Sequence, residues 1–470
     1  MDAELLVRFS AITGTANALT PDRFDLARYT HENRKIVVGT TPLVLRPANT
    51  AEVAAIVRLA AETQTPLVPQ GGHTGHAGGG VPDESGTQIV VSMERMNAIR
   101  DLDVLGNTVT VEAGVVLQRL REAAEAADRL FPVAISSEGS CQVGGTISTN
   151  AGGTGVIAHG NMREQVLGLE VVLPSGEIWN GLRRLKKDNT GYAMKQLFIG
   201  AEGTLGIITA AVLRLLPLPK GREVAWAAVP SPAHALELLN RALDLAGGGV
   251  TAFELIHRTP LEFVLRNASG SRDPLPRRHE WQVLVEICSG RSAEDARAIT
   301  EMLFSAAIED SLVVDAVVAE SAAQRTGLWK LRDDMGPAQW PEGVSIKHDV
   351  SVPVHKVPEF LERGAGLVRE AAPDARLVAF GHMGDGNIHF NVSQPAGGDP
   401  ERFRAMEPAI SGGVHALVIE LGGSVSAEHG IGRLKRKLLH ATKSPVEMEM
   451  MRAVKRALDP QGIINPGKIV

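Results

Sequence analysis

Apolar positions recur along this chain at two periods, and the alternation of the two divides it into elements. Leu5 to Thr20 reads as a short amphipathic helix, and Pro42-Leu43-Val44-Leu45-Arg46-Pro47 as a strand. Asn49-Thr50-Ala51-Glu52 then caps a segment whose apolar positions Val53, Ile56, Val57 and Ala60 keep the 3.6-residue period of a helix. Pro66-Leu67-Val68-Pro69 is a second strand and completes a βαβ unit. Further strands are expected at Gln88–Ser92 and Thr108–Glu112, a helix at Val116–Ala126 and a hairpin at Val171–Glu177. Around Leu216-Pro217-Leu218-Pro219 the composition shifts, which places a domain boundary there. Beyond it, strands near Val224–Val229, Thr251–Leu255, Gln282–Ile287 and Val313–Val318 alternate with helices near Pro232–Leu245 and Ala293–Ala306. That order predicts an α+β domain built on an antiparallel sheet.

The densest local signal is Gly381-His382-Met383-Gly384-Asp385-Gly386-Asn387-Ile388-His389-Phe390-Asn391-Val392, whose two flanks each read as a short strand. Asp385-Gly386 suits a two-residue hairpin turn, because both positions tolerate positive φ. With that pair as the loop, Gly384 faces Asn387, and His382 stands directly across from His389. Opposed residues share a face, with Cβ atoms about 4.5–5.5 Å apart, close enough for two imidazoles to share one metal ion. Asn391 falls on the same face. A lone histidine here would simply cap the turn. Two in register, followed by Glu428-His429, point to a metal site.

Two glycine-rich stretches carry a second signal. Gln70-Gly71-Gly72-His73-Thr74-Gly75-His76-Ala77-Gly78-Gly79-Gly80 follows a strand directly, as a turn does when its backbone N–H groups approach phosphate oxygens. A larger loop is expected from Glu138 to Gly155. Within it Gly153-Thr154-Gly155-Val156-Ile157-Ala158 fits the dinucleotide fingerprint formally, but it follows no clean strand and opens no evident helix, which excludes a Rossmann-type nicotinamide site. Gly462-Ile463-Ile464-Asn465-Pro466-Gly467-Lys468 mimics a P-loop, yet Ile469 replaces the required Ser or Thr.

Composition narrows the class. The length of 470 residues implies two or three domains. A net charge of −6 gives no support to a nucleic-acid surface. Two cysteines, Cys141 and Cys288, exclude a disulfide framework and a cysteine-rich zinc site. The start Met1-Asp2-Ala3-Glu4 lacks the features of a signal peptide, and no apolar run reaches the ~18 residues of a membrane span, so a cytoplasmic location is expected.

Several blocks together resemble the vanillyl-alcohol-oxidase-type flavoproteins: Pro69-Gln70-Gly71-Gly72-His73-Thr74-Gly75, Val143-Gly144-Gly145-Thr146, Thr149-Asn150-Ala151-Gly152-Gly153, Asp188-Asn189-Thr190-Gly191-Tyr192 and Gly203-Thr204-Leu205-Gly206-Ile207-Ile208. With Gly381–Asn391, Glu428-His429-Gly430-Ile431-Gly432 and Asn465-Pro466-Gly467-Lys468, the chain is most similar to the D-2-hydroxyglutarate dehydrogenase branch and its D-lactate and glycolate relatives, from about residue 40 to the C-terminus.

The resemblance implies an α+β protein. Residues 1–218 would form a two-subdomain, PCMH-type FAD-binding domain, and 219–425 an antiparallel-sheet substrate domain. Residues 426–470 would form a helical segment returning to the flavin. FAD would be held by Pro69, Gln70, Gly71, Gly72, His73, Thr74, Gly75 and Gly79, by Gly144, Gly145, Thr149, Asn150 and Gly153, and by Gly203, Ile208 and Asn465. His382, His389 and Glu428 match ligands of a divalent metal, usually zinc, and His429 matches the catalytic base. Asn391, Arg332 and Lys347 match substrate contacts, the two cations holding a far carboxylate. Two positions depart from the branch: Gly336 stands where the hydroxyglutarate enzyme has a threonine, and His73 where near relatives have asparagine. More distant relatives attach FAD through a histidine in the loop of His73, whereas nearer ones bind it non-covalently, and non-covalent FAD is the expectation.

The chemistry is coherent. A 2-hydroxy acid chelates a metal through its carboxylate and hydroxyl, and two histidines and a glutamate leave positions open for both. A bound metal would lower the hydroxyl pKa, His429 could then remove the proton, and the flavin would take up the hydride. Electrons would leave to an acceptor such as an electron-transfer flavoprotein or a quinone. A homodimer is compatible with the sequence. Rival readings are a monocarboxylate dehydrogenase or oxidase on the same fold, and a non-catalytic FAD-bearing subunit.

Overall fold

In the computed structural model, which describes residues 2–32 and 34–470, Asn49 Oδ1 accepts the Glu52 N–H at 2.9 Å and starts the helix Thr50–Thr63. Its buried face is Val53, Ala54, Ile56, Val57, Leu59 and Ala60, the stripe that the 3.6 period marks out. The first helix, Ala3–Thr13, stops earlier than the expected Thr20, because Gly14 leaves helical geometry at φ +76°.

The chain forms two units, one comprising Met1–Gly153, Gly160–Leu218 and Glu428–Val470, the other Thr154–His159 and Pro219–Ala427. The first holds two larger sheets and a two-stranded one that pairs Arg129–Leu130 with Leu216–Pro217. One has the order Ala18–Leu19, Val44–Leu45, Ile89–Ser92, Leu67–Gln70, its last three strands parallel. Ile89–Ser92 thus inserts between the two strands of the expected βαβ unit. The other is antiparallel, in the order Ile99–Asp103, Thr108–Glu112, Ile207–Arg214, Val166–Val172, Ile178–Gly181. The stretch expected as one long loop, Glu138 to Gly155, contains the helix Val143–Ser148. Its glycines conceal it from propensity and are what let it pack: a Cβ on Gly144 would stand 2.7 Å from the Cβ of Ala113. The helical turn Val156–His159, also not anticipated, belongs to the second unit.

The chain's end is part of the first unit. Leu67 N–H donates to Ile463 O at 2.8 Å and Asn465 N–H to Leu67 O at 2.7 Å, so residues 463–465 run beside the strand that leads into the first glycine turn. Lys455, on the helix Pro445–Leu458, donates to Thr204 O at 2.7 Å and Ile464 O at 2.8 Å and pairs with the buried Asp459 at 2.5 Å.

The second unit is built on one antiparallel sheet in the order Asp315–Val318, Gly221–Val229, Trp281–Ser289, Val250–His257, Arg376–His382, Asn387–Ser393, Ser345–Ile346, with Asp349–Ser351 also pairing to Asn387–Ser393. Trp226, fully buried, anchors its core and donates to Gln282 Oε1 at 2.7 Å. Both units therefore mix helices and sheets, the α+β class expected.

The histidine hairpin has a different register from the one predicted. His382 pairs with Asn387, and His389 with Phe380, so the loop is the four residues Met383 to Gly386. Met383 N–H donates to Phe253 O, and Asp385 N–H turns back to His382 O, which ends the ladder two residues earlier than a tight Asp385-Gly386 turn would. Ile157 packs over the loop, within 2.3 Å of where a Cβ on Gly384 would stand. His382 and His389 are diagonal rather than opposed, but a shift of two residues keeps them on one face. Among the described residues no helix is long and apolar enough to cross a membrane.

Lys455→Met should lower the first unit's stability by about 3 kcal/mol, because it strands the Asp459 carboxylate without its counter-charge. Lys455→Arg should lose less. Urea denaturation checks this; an unchanged transition midpoint would contradict it.

Candidate active site

In the first unit, Pro69 through Val81, the start of the helix Val143–Ser148, Glu202-Gly203, Gly206 to Ile208, Glu428 and His429 line one cleft of about 1480 Å³, counted to its open rim. Of the residues expected at the cofactor, Asn150, Gly153 and Asn465 do not line it and stand behind its wall. Asn150 Oδ1 accepts from Arg163 N at 2.9 Å, and Gly153 N donates to Glu428 Oε1 at 3.0 Å. Asn465 Nδ2 donates to Gly79 O at 3.0 Å and Glu202 O at 2.8 Å, tying the glycine turn to its neighbour.

The glycine turn leaves its donors facing the cleft. Among the described residues, the N–H groups of Gly71, Gly72, His73, Thr74 and Gly75 donate to no protein acceptor. Gly72 is fixed by packing, since a Cβ there would lie 2.0 Å from Ser140 O, whereas a Cβ on Gly75 or Gly145 would meet nothing. His73 adopts φ +58°, and its Nε2 lies 2.8 Å from His31 O; burial lowers the pKa of its imidazole. Gln142 Oε1, on the cleft wall, is buried without a hydrogen-bond partner among the described residues.

Glu202 was not singled out by sequence reasoning, yet it holds the segment that carries His429. Its carboxylate accepts from Ile431 N and Gly432 N, each at 2.7 Å. Burial raises its pKa, and the two N–H donors oppose that rise by favouring the anion. The His429 ring meets His76 edge-on, with ring centroids 4.9 Å apart.

In the second unit, His382 and His389 approach with ring centroids 5.8 Å apart. Behind them stands a second residue that the sequence reading did not weigh, Glu254, paired across the strands with His382 and fully buried. Its Oε1 lies 2.5 Å from His382 Nδ1 and its Oε2 2.5 Å from Arg332 Nε. Burial pushes the Glu254 pKa up, but Arg332 and His382 outweigh it and hold the carboxyl at about 2. An ionised carboxylate can only accept, so His382 donates to it from Nδ1, which leaves Nε2 as the ring edge a metal ligand would use. His389 Nδ1 lies 3.8 Å from Asp349 Oδ1, and Asp349 Oδ1 also accepts from Asn387 Nδ2 at 3.0 Å.

The two expected substrate cations stand in unlike surroundings, since Arg332 is buried and Lys347 exposed. The Arg332 guanidinium lies over the Phe380 ring at 5.1 Å, and Phe380 in turn touches the His389 ring at 5.1 Å. Only Nε of Arg332 has a protein acceptor among the described residues, which leaves the terminal fork to other partners. Asn391 is bonded at both ends, its Oδ1 accepting from His348 N at 3.2 Å and its Nδ2 donating to Gln339 Oε1 at 3.1 Å. Gly336 has open space where a Cβ would stand.

Comparison with known proteins agrees in both units. The "FAD binding domain" description matches residues 41–181, and "FAD linked oxidases, C-terminal domain" matches 218–469. The chain belongs to the FAD-linked oxidase family. Relatives include a D-2-hydroxyglutarate dehydrogenase of Xanthomonas citri pv. viticola, 38% identical over 90% of this chain and 88% of that protein. The mitochondrial D-2-hydroxyglutarate dehydrogenase of Danio rerio is 36% identical over 92% of this chain and 79% of its own. A D-2-hydroxyglutarate–pyruvate transhydrogenase of Saccharomyces cerevisiae is 33% identical over 100% and 95%. Two solved structures share the fold at low identity. Alkyldihydroxyacetonephosphate synthase has a TM-score of 0.76 at 17% identity, covering 99% of this chain and 85% of that one. p-Cresol methylhydroxylase has 0.75 at 16%, covering 99% and 96%.

As a member of this family the chain is an FAD-dependent oxidoreductase, and its first cleft fits that cofactor. Five successive unpaired N–H groups suit a pyrophosphate, and Gly75 and Gly145 leave room that a side chain would fill. Gly72→Ala should therefore weaken flavin binding by roughly 5- to 150-fold, the effect of about 1–3 kcal/mol of overpacking, and destabilise the apoprotein too. Gly75→Ala should weaken flavin while leaving apoprotein unfolding unchanged. Flavin titration with thermal melts separates the two; wild-type flavin affinity in both variants would contradict this use of the cleft.

Proposed function

We propose that the protein oxidises a D-2-hydroxy acid, D-2-hydroxyglutarate by preference, to the 2-oxo acid, passing the electrons through FAD to an external acceptor such as an electron-transfer flavoprotein or a quinone. The observation that carries the substrate class is Arg332: a buried guanidinium, fixed through Nε by Glu254, whose terminal fork has no protein acceptor among the described residues. Such a fork matches a carboxylate in bidentate fashion. The names of the relatives support the same substrate.

His382, His389 and Glu428 would hold a divalent metal, zinc being the natural fit to two imidazoles and one carboxylate, each offering one donor atom. The hydrogen bond from His382 Nδ1 to Glu254 favours this use. A bound metal supplies Lewis acidity that lowers the pKa of the substrate hydroxyl. FAD, when bound, supplies the acceptor for the hydride leaving C2. His429 takes the hydroxyl proton, and Arg332, with Lys347, holds the far carboxylate. Asn391 has one amide N–H beyond its bonds to His348 and Gln339 with which to meet substrate. Loss of one proton to His429 and one hydride from C2 leaves the carbonyl.

D-2-Hydroxyglutarate should exceed D-lactate in kcat/KM. Charge-assisted bonds to Arg are worth about 1.5–3 kcal/mol each, so Arg332→Lys, which keeps a cation beside Glu254 but lacks the terminal fork, should remove roughly 10- to 150-fold of that margin while sparing lactate turnover. Equal harm to both acids, or a wild type that prefers lactate, would overturn the reading. Gly336→Thr has room for its side chain and should lower KM for D-2-hydroxyglutarate by roughly 2- to 12-fold, one hydrogen bond's worth.

His382→Ala should abolish turnover with flavin retained; full activity after complete chelation of metal would contradict the metal's role. With His73 Nε2 at hydrogen-bonding distance from His31 O, FAD is expected to bind non-covalently. Acid precipitation should release the yellow colour, and colour kept in the pellet would show a covalent link.

A further inference from the structure

We infer that Glu254 is a positioning residue that sets the metal-binding imidazole and the carboxylate-reading guanidinium together, through its two oxygens. The inference rests on the metal and far-carboxylate roles proposed above for His382 and Arg332.

Glu254 lies in the strand Val250–His257 among Ala252, Phe253, Leu255 and Ile256, a lone acid in an apolar run. It is fully buried, and each oxygen has one partner: Oε1 faces His382 Nδ1 and Oε2 faces Arg332 Nε, both at 2.5 Å. The partners reach it from different elements, His382 from the neighbouring strand and Arg332 from the helix Ala322–Asp333. A buried ion pair kept for stability alone could be replaced by apolar side chains at little or no cost. Here the two partners are the imidazole that would bind the metal and the guanidinium that would read the substrate. Each presents its remaining edge, Nε2 on His382 and the terminal fork on Arg332, only in the orientation that the carboxylate imposes. Phe380 supports the arrangement from the side, lying under the Arg332 guanidinium and against the His389 ring.

The two-oxygen geometry makes a specific demand. Both partners are N–H donors towards Glu254, so a glutamine there satisfies at most one of them. If its oxygen faces His382, its NH2 meets the Arg332 Nε–H. If its oxygen faces Arg332, its NH2 forces His382 to accept on Nδ1 and to carry the proton on Nε2, the tautomer that cannot bind metal. Glu254→Gln must therefore damage zinc binding, acid preference, or both, with side-chain volume preserved.

The test uses the flavin-loaded full-length chain. Zinc affinity is measured by competition with a chromophoric chelator, and kcat and KM are measured for D-2-hydroxyglutarate and D-lactate. Glu254→Gln is expected to weaken zinc about 10- to 100-fold, the usual effect of removing a carboxylate behind a ligating histidine. It is also expected to raise KM for the dicarboxylate more than for lactate. Glu254→Asp, which keeps the charge but withdraws it, should fall between wild type and Glu254→Gln on both scales. Should Glu254→Gln not fold, that intermediate loss in Glu254→Asp carries the same conclusion. Wild-type zinc affinity together with unchanged acid preference in either folded variant overturns the inference. A wild-type chain that binds no zinc overturns the metal reading itself, and so is distinguishable from failure of the role assigned to Glu254.

Discussion

A carboxylate buried without water is tolerated only when its charge and both its oxygens are matched, and Glu254 meets that condition with one imidazole and one guanidinium. The second unit is arranged around this requirement. Three elements have to converge on Glu254: its own strand, the strand ending at His382, and the helix that carries Arg332. Their convergence fixes one edge each of His382 and Arg332, and the other edges would serve the metal and substrate roles proposed for them.

The first unit solves a related problem with backbone instead of side chains. Donors that a cofactor will use must stay unpaired in the protein, so the turn after Leu67–Gln70 has to be held from outside its own hydrogen bonds. Packing against Ser140 fixes Gly72, Asn465 ties Gly79 to Glu202, and Glu202 in turn fixes Ile431 and Gly432 beside His429. The last residues of the chain thereby support the first glycine turn, which explains why Lys455, Asp459 and Asn465 are buried or bonded at positions remote from it in sequence.

Local chemistry made part of this legible. The helix Thr50–Thr63 was readable because Asn49 caps it and its apolar stripe is regular, and the second unit's strands because their apolar runs are bounded by polar turns. The helix Val143–Ser148 was not, because its glycines serve close approach to Ala113 and erase the helical propensity. The hairpin at 382–389 was found with the right face and the wrong register. Asp385-Gly386 favours a tight turn locally, but the bonds to Phe253 O and His382 O set a longer one. Glu254 and Glu202 were missed because their roles exist only in long-range contacts. A single acid inside Ala252-Phe253-Glu254-Leu255-Ile256 was nevertheless a signal that could have been weighed.

In the function proposed, electrons leave C2 of a D-2-hydroxy acid for the flavin. The most direct measurement mixes flavin- and zinc-replete protein with D-2-hydroxyglutarate under anaerobic conditions and follows flavin absorbance, with hydrogen or deuterium at C2. The account predicts full bleaching by the D-acid, slowed by deuterium at C2, and none by the L-enantiomer. A replete protein whose flavin stays oxidised with the D-acid, or is reduced equally by both enantiomers, would contradict it.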